Sequence, residues 1–182
     1  MPEGVFTTDS AANDAPPATD RSASGEATAT VDTAAAETLR VDFYVLDEAS
    51  GSARLKLACR LVEKAYLAGH RALVWHTDAS ELQAFDELLW TFMDGSFVPH
   101  DLLGASGADD GTPVLLSAGA IPATPVDVII NLSAELPACL PLTRRVAEIV
   151  DGEDARRKAA RARFKAYRER GVQPASHNMR SE

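Results

Sequence analysis

Histidine and cysteine are scarce in this chain, and no apolar run is long. Its 182 residues include four histidines and two cysteines. His70, His76, His100 and His177 show no H-x-x-x-H or comparable ligand spacing, and Cys59 and Cys139 form no C-x-x-C pair. The usual sequence patterns of a zinc site are therefore missing. Both cysteines sit in apolar sequence, far apart, which suits buried free thiols better than a disulfide. No stretch approaches the roughly 20 apolar residues that cross a bilayer. A basic start leading into an apolar run, the mark of an export signal, is also missing, so a cytoplasmic protein without membrane contact is expected. Positive charge is in deficit: 18 Lys and Arg against 27 Asp and Glu leave a net charge of -9, which disfavours general affinity for polyanions. Phosphate-binding loops are lacking as well. There is no G-x-x-x-x-G-K-[ST], and the first candidate strand runs into LDEASGSARL rather than a G-x-G-x-x-G turn. No cofactor is expected.

What is present falls into three parts. Residues 1–39 are mostly Ala, Thr, Ser, Asp and Pro, too poor in apolar surface to offset the entropy of ordering, and read as a flexible acidic tail. Residues 40–172 carry the candidate domain, and residues 173–182 read as a polar carboxyl-terminal tail. Within the domain, VDFYVL (41–46) and RALVW (71–75) are strand candidates rich in β-branched and aromatic residues. Between them, Leu55, Ala58, Val62 and Ala65 fall at helical spacing, and Gly69 stands where that helix would stop. Asp78 three residues before Glu81 predicts a capping box, with Leu82, Phe85, Leu89 and Phe92 on one helix face. PVLLS (113–117) and VDVIINL (126–132) are further strands, PLTRRVAEIV (141–150) is expected to be a helix with Pro141 near its start, and a final helix spans about 153–170. Strand and helix alternate, which predicts an α/β sheet with helices on both sides.

Catalysis would have to come from polar residues at strand ends, where such sheets place ligands. Asp47, His76, Asp78 and Asn131 are the candidates, although His76 and Asp78 equally suit a turn residue and a helix cap. A nucleotide- or phosphoryl-handling enzyme built on them is the alternative reading, but no constellation demands it. The final helix is more distinctive. Residues 151–170 hold eight Arg or Lys against four Asp or Glu. Arg157, Arg161, Phe164 and Arg168 share one face, placing a flat ring between guanidinium groups that can fork onto carboxylates. Arg156, Ala160, Arg163 and Tyr167 lie on the neighbouring face and are expected to add positive charge. A nucleic-acid grip and a merely solvated face both compete here. Docking of an acidic peptide with a hydrophobic end, its apolar residue against Phe164 and Val150, explains the pattern best. Trp90, Phe92, Met93, Phe97 and Val98 crowd a second stretch, either to close the core or to present a protein-binding surface anchored by Trp90 and Phe97.

FYVLD, then DELLW-x6-FVPHDLLG, then ARARFKAYRERG resemble, in that order, the chi subunit family of bacterial DNA polymerase III holoenzyme. The likeness covers roughly residues 41–179. It implies a single Rossmann-like domain with a mostly parallel central sheet flanked by helices and no nucleotide-binding loop. It also implies a non-enzymatic clamp-loader accessory protein that binds the acidic, phenylalanine-ended tail of single-stranded DNA-binding protein. Carried onto this chain, the tail-binding residues are Val150, Arg157, Arg161 and Phe164. Arg157 stands where the family commonly has Lys, and Phe164 where it commonly has Tyr, so the phenolic hydroxyl is lost. The resemblance places the psi subunit, or an equivalent clamp-loader or helicase partner, on Trp90 and Phe97. Direct nucleic-acid binding is expected to be feeble and to fall steeply with salt.

Overall fold

A computed structural model of the chain describes residues 38–179, so the acidic segment expected over 1–39 lies outside the described residues except for its last two. In chain order the elements are β1 (Arg40–Leu46), α1 (Gly51–Leu67), β2 (Ala72–Trp75), α2 (Ala79–Thr91) and β3 (His100–Leu102). Then come β4 (Val114–Ser117), β5 (Val128–Asn131), a 3-10 turn at Leu140–Leu142, β6 (Arg145–Val150), α3 (Asp154–Glu169) and β7 (Ala175–Met179). The strands form one seven-stranded sheet in the order β3-β4-β2-β5-β6-β1-β7, and every neighbouring pair is parallel.

Parallel neighbours need crossover connections, and crossovers put helices over the sheet, so central strands are apolar on both faces. β2 and β5 are accordingly buried at every position. Alternation sends Val74, Leu116 and Ile130 to one face, under Leu57, Val62, Leu82 and Phe85 of α1 and α2. Leu73, Leu115, Ile129 and Val146 go to the other, under Ala160 and Tyr167 of α3. Cys59 and Cys139 are buried and free, one in each of these layers; burial pushes their thiols up, to about 12 and about 11.

Glycine fixes the ends of both long crossovers. Gly69 (φ 74) follows α1; its N–H donates to the Tyr66 carbonyl and that of His70 to Ala65. Gly171 (φ 80) repeats the arrangement after α3, its N–H donating to Arg168 while Val172 donates to Tyr167. These paired bonds satisfy last-turn carbonyls and require the left-handed backbone that glycine takes without a Cβ penalty.

Two expectations are corrected. PLTRRVAEIV is not a helix: Pro141 sits in the 3-10 turn, and Arg145–Val150 is the strand β6. The apolar run there is interrupted by Glu148, which suggests a helix's polar face. In the fold Glu148 is 0% exposed, because α3 supplies its partners. Nor is the segment after 172 without regular structure. Ala175–Met179 pairs along β1, with Asp42 opposite Ala175 and Leu46 opposite Met179. As an edge strand facing solvent, it is polar and buries little, leaving no apolar signal to read. Among the described residues no helix is long and apolar enough to cross a membrane.

Candidate functional site

The approach from β6 into α3 builds the site. β6 leads directly into Asp151, which is 0% exposed and accepts from Arg156 Nε at 2.7 Å and Nη2 at 2.9 Å, and from the Glu153 amide at 3.3 Å. Burial alone would raise this carboxyl; the bonds and charge of Arg156 outweigh it and hold Asp151 below the usual carboxylate value. Gly152 then presses on the loop after β1, its N–H donating to the Glu48 carbonyl at 2.7 Å. A Cβ there would lie 2.6 Å from the Ala49 nitrogen and 2.7 Å from the Asp47 oxygen. Backbone on both sides leaves nothing flexible to yield, so Gly152→Ala is expected to cost about 1–3 kcal/mol, read as a lowered thermal midpoint. A midpoint within error of wild type would contradict this close approach.

One turn into α3, Arg157 reaches back over the strand ends. Its Nη2 donates to the carbonyls of Asp47 (3.2 Å) and Leu46 (3.5 Å), and its Nε to Asp151 (3.4 Å). All three acceptors are neutral carbonyls, and among the described residues Arg157 makes no ion pair, so the guanidinium is held in place without a paired carboxylate there. Arg161, one turn further, is exposed and makes no ion pair among the described residues. Phe164 follows, half-buried, its ring 5.3 Å from that of Phe43 and tilted by 56°. Between α3 and the sheet edge lies an open groove of ≈ 360 Å³ with Phe43, Val45, Val150, Phe164, Arg157 and Arg161 around it. Ser176 and Asn178 of β7 form its far side and Asp47 stands on its rim. The four residues singled out from the sequence thus share one groove. The sequence reading missed Phe43 and Val45, alternate residues of VDFYVL that must point to one face of a strand. It also missed the β7 pair, whose strand carries no apolar pattern.

The neighbouring face of α3 does not add positive charge to this groove; it points inward. Arg156 is tied to Asp151, and Tyr167 is 0% exposed. Arg163 Nε donates to Glu148 Oε2 at 2.8 Å and its Nη1 to the Ala134 carbonyl at 2.8 Å. Tyr167 Oη donates to Glu148 Oε1 at 2.8 Å, and Asn131 Nδ2 lies 3.0 and 3.1 Å from the two carboxylate oxygens. Burial raises the Glu148 carboxyl above its ordinary value, and Arg163, Asn131 and Tyr167 pull against that rise. This network anchors the inner face of α3 and leaves the outer face to the groove.

Strand-end polar residues do not converge on a catalytic centre. Asp78 caps α2, accepting from the amides of Ser80 (2.8 Å) and Glu81 (3.2 Å). His76 Nδ1 accepts from the Asp78 amide at 2.8 Å, while Glu81 turns to His76 Nε2 at 3.1 Å, so the box is not reciprocal. Asn131 belongs to the Glu148 network and Asp47 to the groove rim. Among the described residues no group of three or more His, Cys, Asp and Glu could hold a metal ion.

The second aromatic stretch divides. Val98 is buried with Phe85 and Leu89, whereas Trp90 (48% exposed) and Phe97 (65%) stand out from the surface with Met93. Trp90 packs between Phe97, at 5.4 Å between centroids, and His100, at 4.5 Å. His100 is fixed by the Val98 carbonyl, 2.7 Å from Nδ1; Asp86 lies 3.2 Å from its buried Nε2 without completing a hydrogen bond. A braced, exposed aromatic pair of this kind is what a protein interface uses as an anchor.

Residues 39–175 match the family model described as DNA polymerase III chi subunit, HolC. The DNA polymerase III subunit chi of Pseudomonas aeruginosa is 41% identical over 140 residues, 77% of this chain and 96% of that protein. That of Escherichia coli is 31% identical over 134 residues, 71% of this chain and 90% of that protein. That of Haemophilus influenzae is 28% identical over 138 residues, 75% of this chain and 95% of that protein.

Proposed function

The chain belongs to the DNA polymerase III chi subunit family, and from that membership we propose that its α3 groove binds the acidic, hydrophobic-ended tail of single-stranded DNA-binding protein. The protein is a non-catalytic accessory of the polymerase in the cytoplasm, with a Rossmann-like domain that has no nucleotide-binding loop. Its role is to link the coated single strand to the clamp loader. The observation that carries this reading is an exposed Arg161 beside an Arg157 that, among the described residues, is bonded to carbonyls alone, both bordering the Phe43–Phe164 ring pair. Carboxylates of the tail meet the guanidinium groups, and its terminal ring lies against Phe164 and Val150. The loss of the phenolic hydroxyl at position 164 makes that contact rest on ring area.

The Trp90–Phe97 surface serves the psi subunit or an equivalent clamp-loader or helicase partner. Trp90→Ala is expected to weaken that partner by about 2 kcal/mol or more, roughly thirtyfold, and to leave tail binding unchanged. The test of the tail reading is a titration of the whole protein with a labelled peptide copying the last residues of its own organism's single-stranded DNA-binding protein. Micromolar binding that disappears when the terminal hydrophobic residue is removed is expected. Binding indifferent to that residue would contradict the docking of an apolar end in the groove.

A further inference from the structure

The edge strand makes the wall of the α3 groove that lies opposite the arginines. β7 is the last strand of the sheet, and its parallel register sets Ser176 beside Phe43 and Asn178 beside Val45. Neighbours in register point to the same face of a sheet. Ser176 and Asn178 therefore stand on the α3 side and border the groove. His177, between them, turns to the other face and stacks on Tyr44 at 5.3 Å and 27°. Ser176 and Asn178 are exposed, and neither side chain makes a hydrogen bond among the described residues.

Three kinds of lining meet in this slot. The floor is the Phe43–Phe164 ring pair with Val150. One wall carries the guanidinium groups of Arg157 and Arg161, and the other carries two neutral hydrogen-bonding side chains. The walls correspond along their length. Arg157 bonds to the carbonyls of Leu46 and Asp47, the residues just after Val45, and so marks the Asn178 end. Phe164 touches Phe43, which marks the Ser176 end. In an extended peptide lying along such a slot, side chains alternate between floor and mouth, while main-chain N–H and C=O groups point sideways at the walls. Residues two apart present those groups to the same wall about 6.6 Å apart. Ser176 and Asn178, two apart on a strand, share that spacing.

We propose that Ser176 and Asn178 bond the main chain of the acidic tail and so select a peptide in extended form, an assignment that rests on the tail binding proposed above. Guanidinium groups recognise carboxylates and the ring pair recognises an apolar end; neither holds the backbone between them. A serine hydroxyl and an asparagine amide each donate and accept, so the pair fits the N–H and C=O that peptide residues carry. These bonds are neutral, which makes their contribution insensitive to salt, unlike that of the arginines.

The test is a titration of the full chain with the labelled tail peptide, unmodified and with one peptide bond at a time replaced by an ester. The ester deletes the N–H and weakens the carbonyl as an acceptor. Asn178→Ala should weaken the unmodified peptide by about fivefold, and Ser176→Ala combined with Asn178→Ala by about tenfold or more. Thermal midpoints should stay as in wild type, since both residues are exposed. The loss should persist at high salt, where the effect of Arg161→Glu shrinks. At least one ester peptide should bind wild type weakly and lose little more in the double variant, because the bond is already gone. Unaltered binding of the unmodified peptide by the double variant, or losses that add in full for every ester, would overturn the assignment and leave tail binding intact. Failure of wild type to bind the unmodified peptide would instead remove the tail reading, and this assignment with it.

Discussion

Arg163→Met should lower the stability of this protein by about 3–5 kcal/mol, a larger loss than any surface change. The substitution leaves Glu148, 0% exposed, with Asn131 and Tyr167 as its donors and no cation. It also strips the Ala134 carbonyl of its donor. Denaturant unfolding measures the loss, and pH identifies its cause. Burial already raises the Glu148 carboxyl, with the Arg163 charge opposing the rise; without Arg163 it rises further. A carboxyl raised in the folded state binds a proton more readily there than in the unfolded chain. Protonation therefore favours the folded form, and the deficit should shrink as pH falls from neutral to mildly acidic. Replacing Glu148 and Arg163 together by methionine should recover much of the loss, because the buried charge is then gone rather than abandoned. A deficit that is the same at every pH, with no recovery in the double variant, would mean that packing and not charge governs this position.

The second large effect is expected at the groove. Arg161→Glu should weaken binding of the tail peptide by about 2–3 kcal/mol, the scale of a lost charge-assisted hydrogen bond with repulsion added, or roughly 30- to 150-fold. Its thermal midpoint should hardly change, since Arg161 is exposed and makes no ion pair among the described residues. Arg157→Glu should weaken the peptide similarly but also lower stability, because the carbonyls of Leu46, Asp47 and Asp151 lose their donor and gain an anion beside them. The contrast between the two variants separates a binding residue from one that also straps the strand ends. Equal stability losses, or an Arg161→Glu protein that binds as wild type does, would remove Arg161 from the site.

Much of the sheet could be read from the sequence because its central strands are apolar on both faces and bounded by turn residues. VDFYVL, RALVW, PVLLS and VDVIINL fall on strands, and Gly69 ends the helix it was expected to end. β6 was misread because Glu148 stands in its middle, and the partners that make it tolerable, Arg163 and Tyr167, come from a helix later in the chain. β7 was missed for the converse reason: His177 and its neighbours bury little, and the strand is held by its ladder along β1 and by the contacts of His177 with Asp42 and Tyr44. The candidate groove was half legible. Helical spacing put Arg157, Arg161 and Phe164 together, but it could not tell which of the two adjacent basic faces turned inward. That choice is made by Asp151 and Glu148, which face Arg156 and Arg163 from β6 and the turn after it. Phe43, Val45, Ser176 and Asn178 enter the groove only through the pairing of β1 with its neighbours, which no local pattern encodes.

Tail binding in the α3 groove is tested most directly by a backbone amide shift map of the whole protein titrated with the tail peptide. Shifts should gather on Val150, Arg157, Arg161 and Phe164, extend to Ser176 and Asn178 across the groove, and leave Trp90 and Phe97 still. Shifts centred on Trp90 and Phe97, or spread without a focus while α3 stays silent, would contradict it.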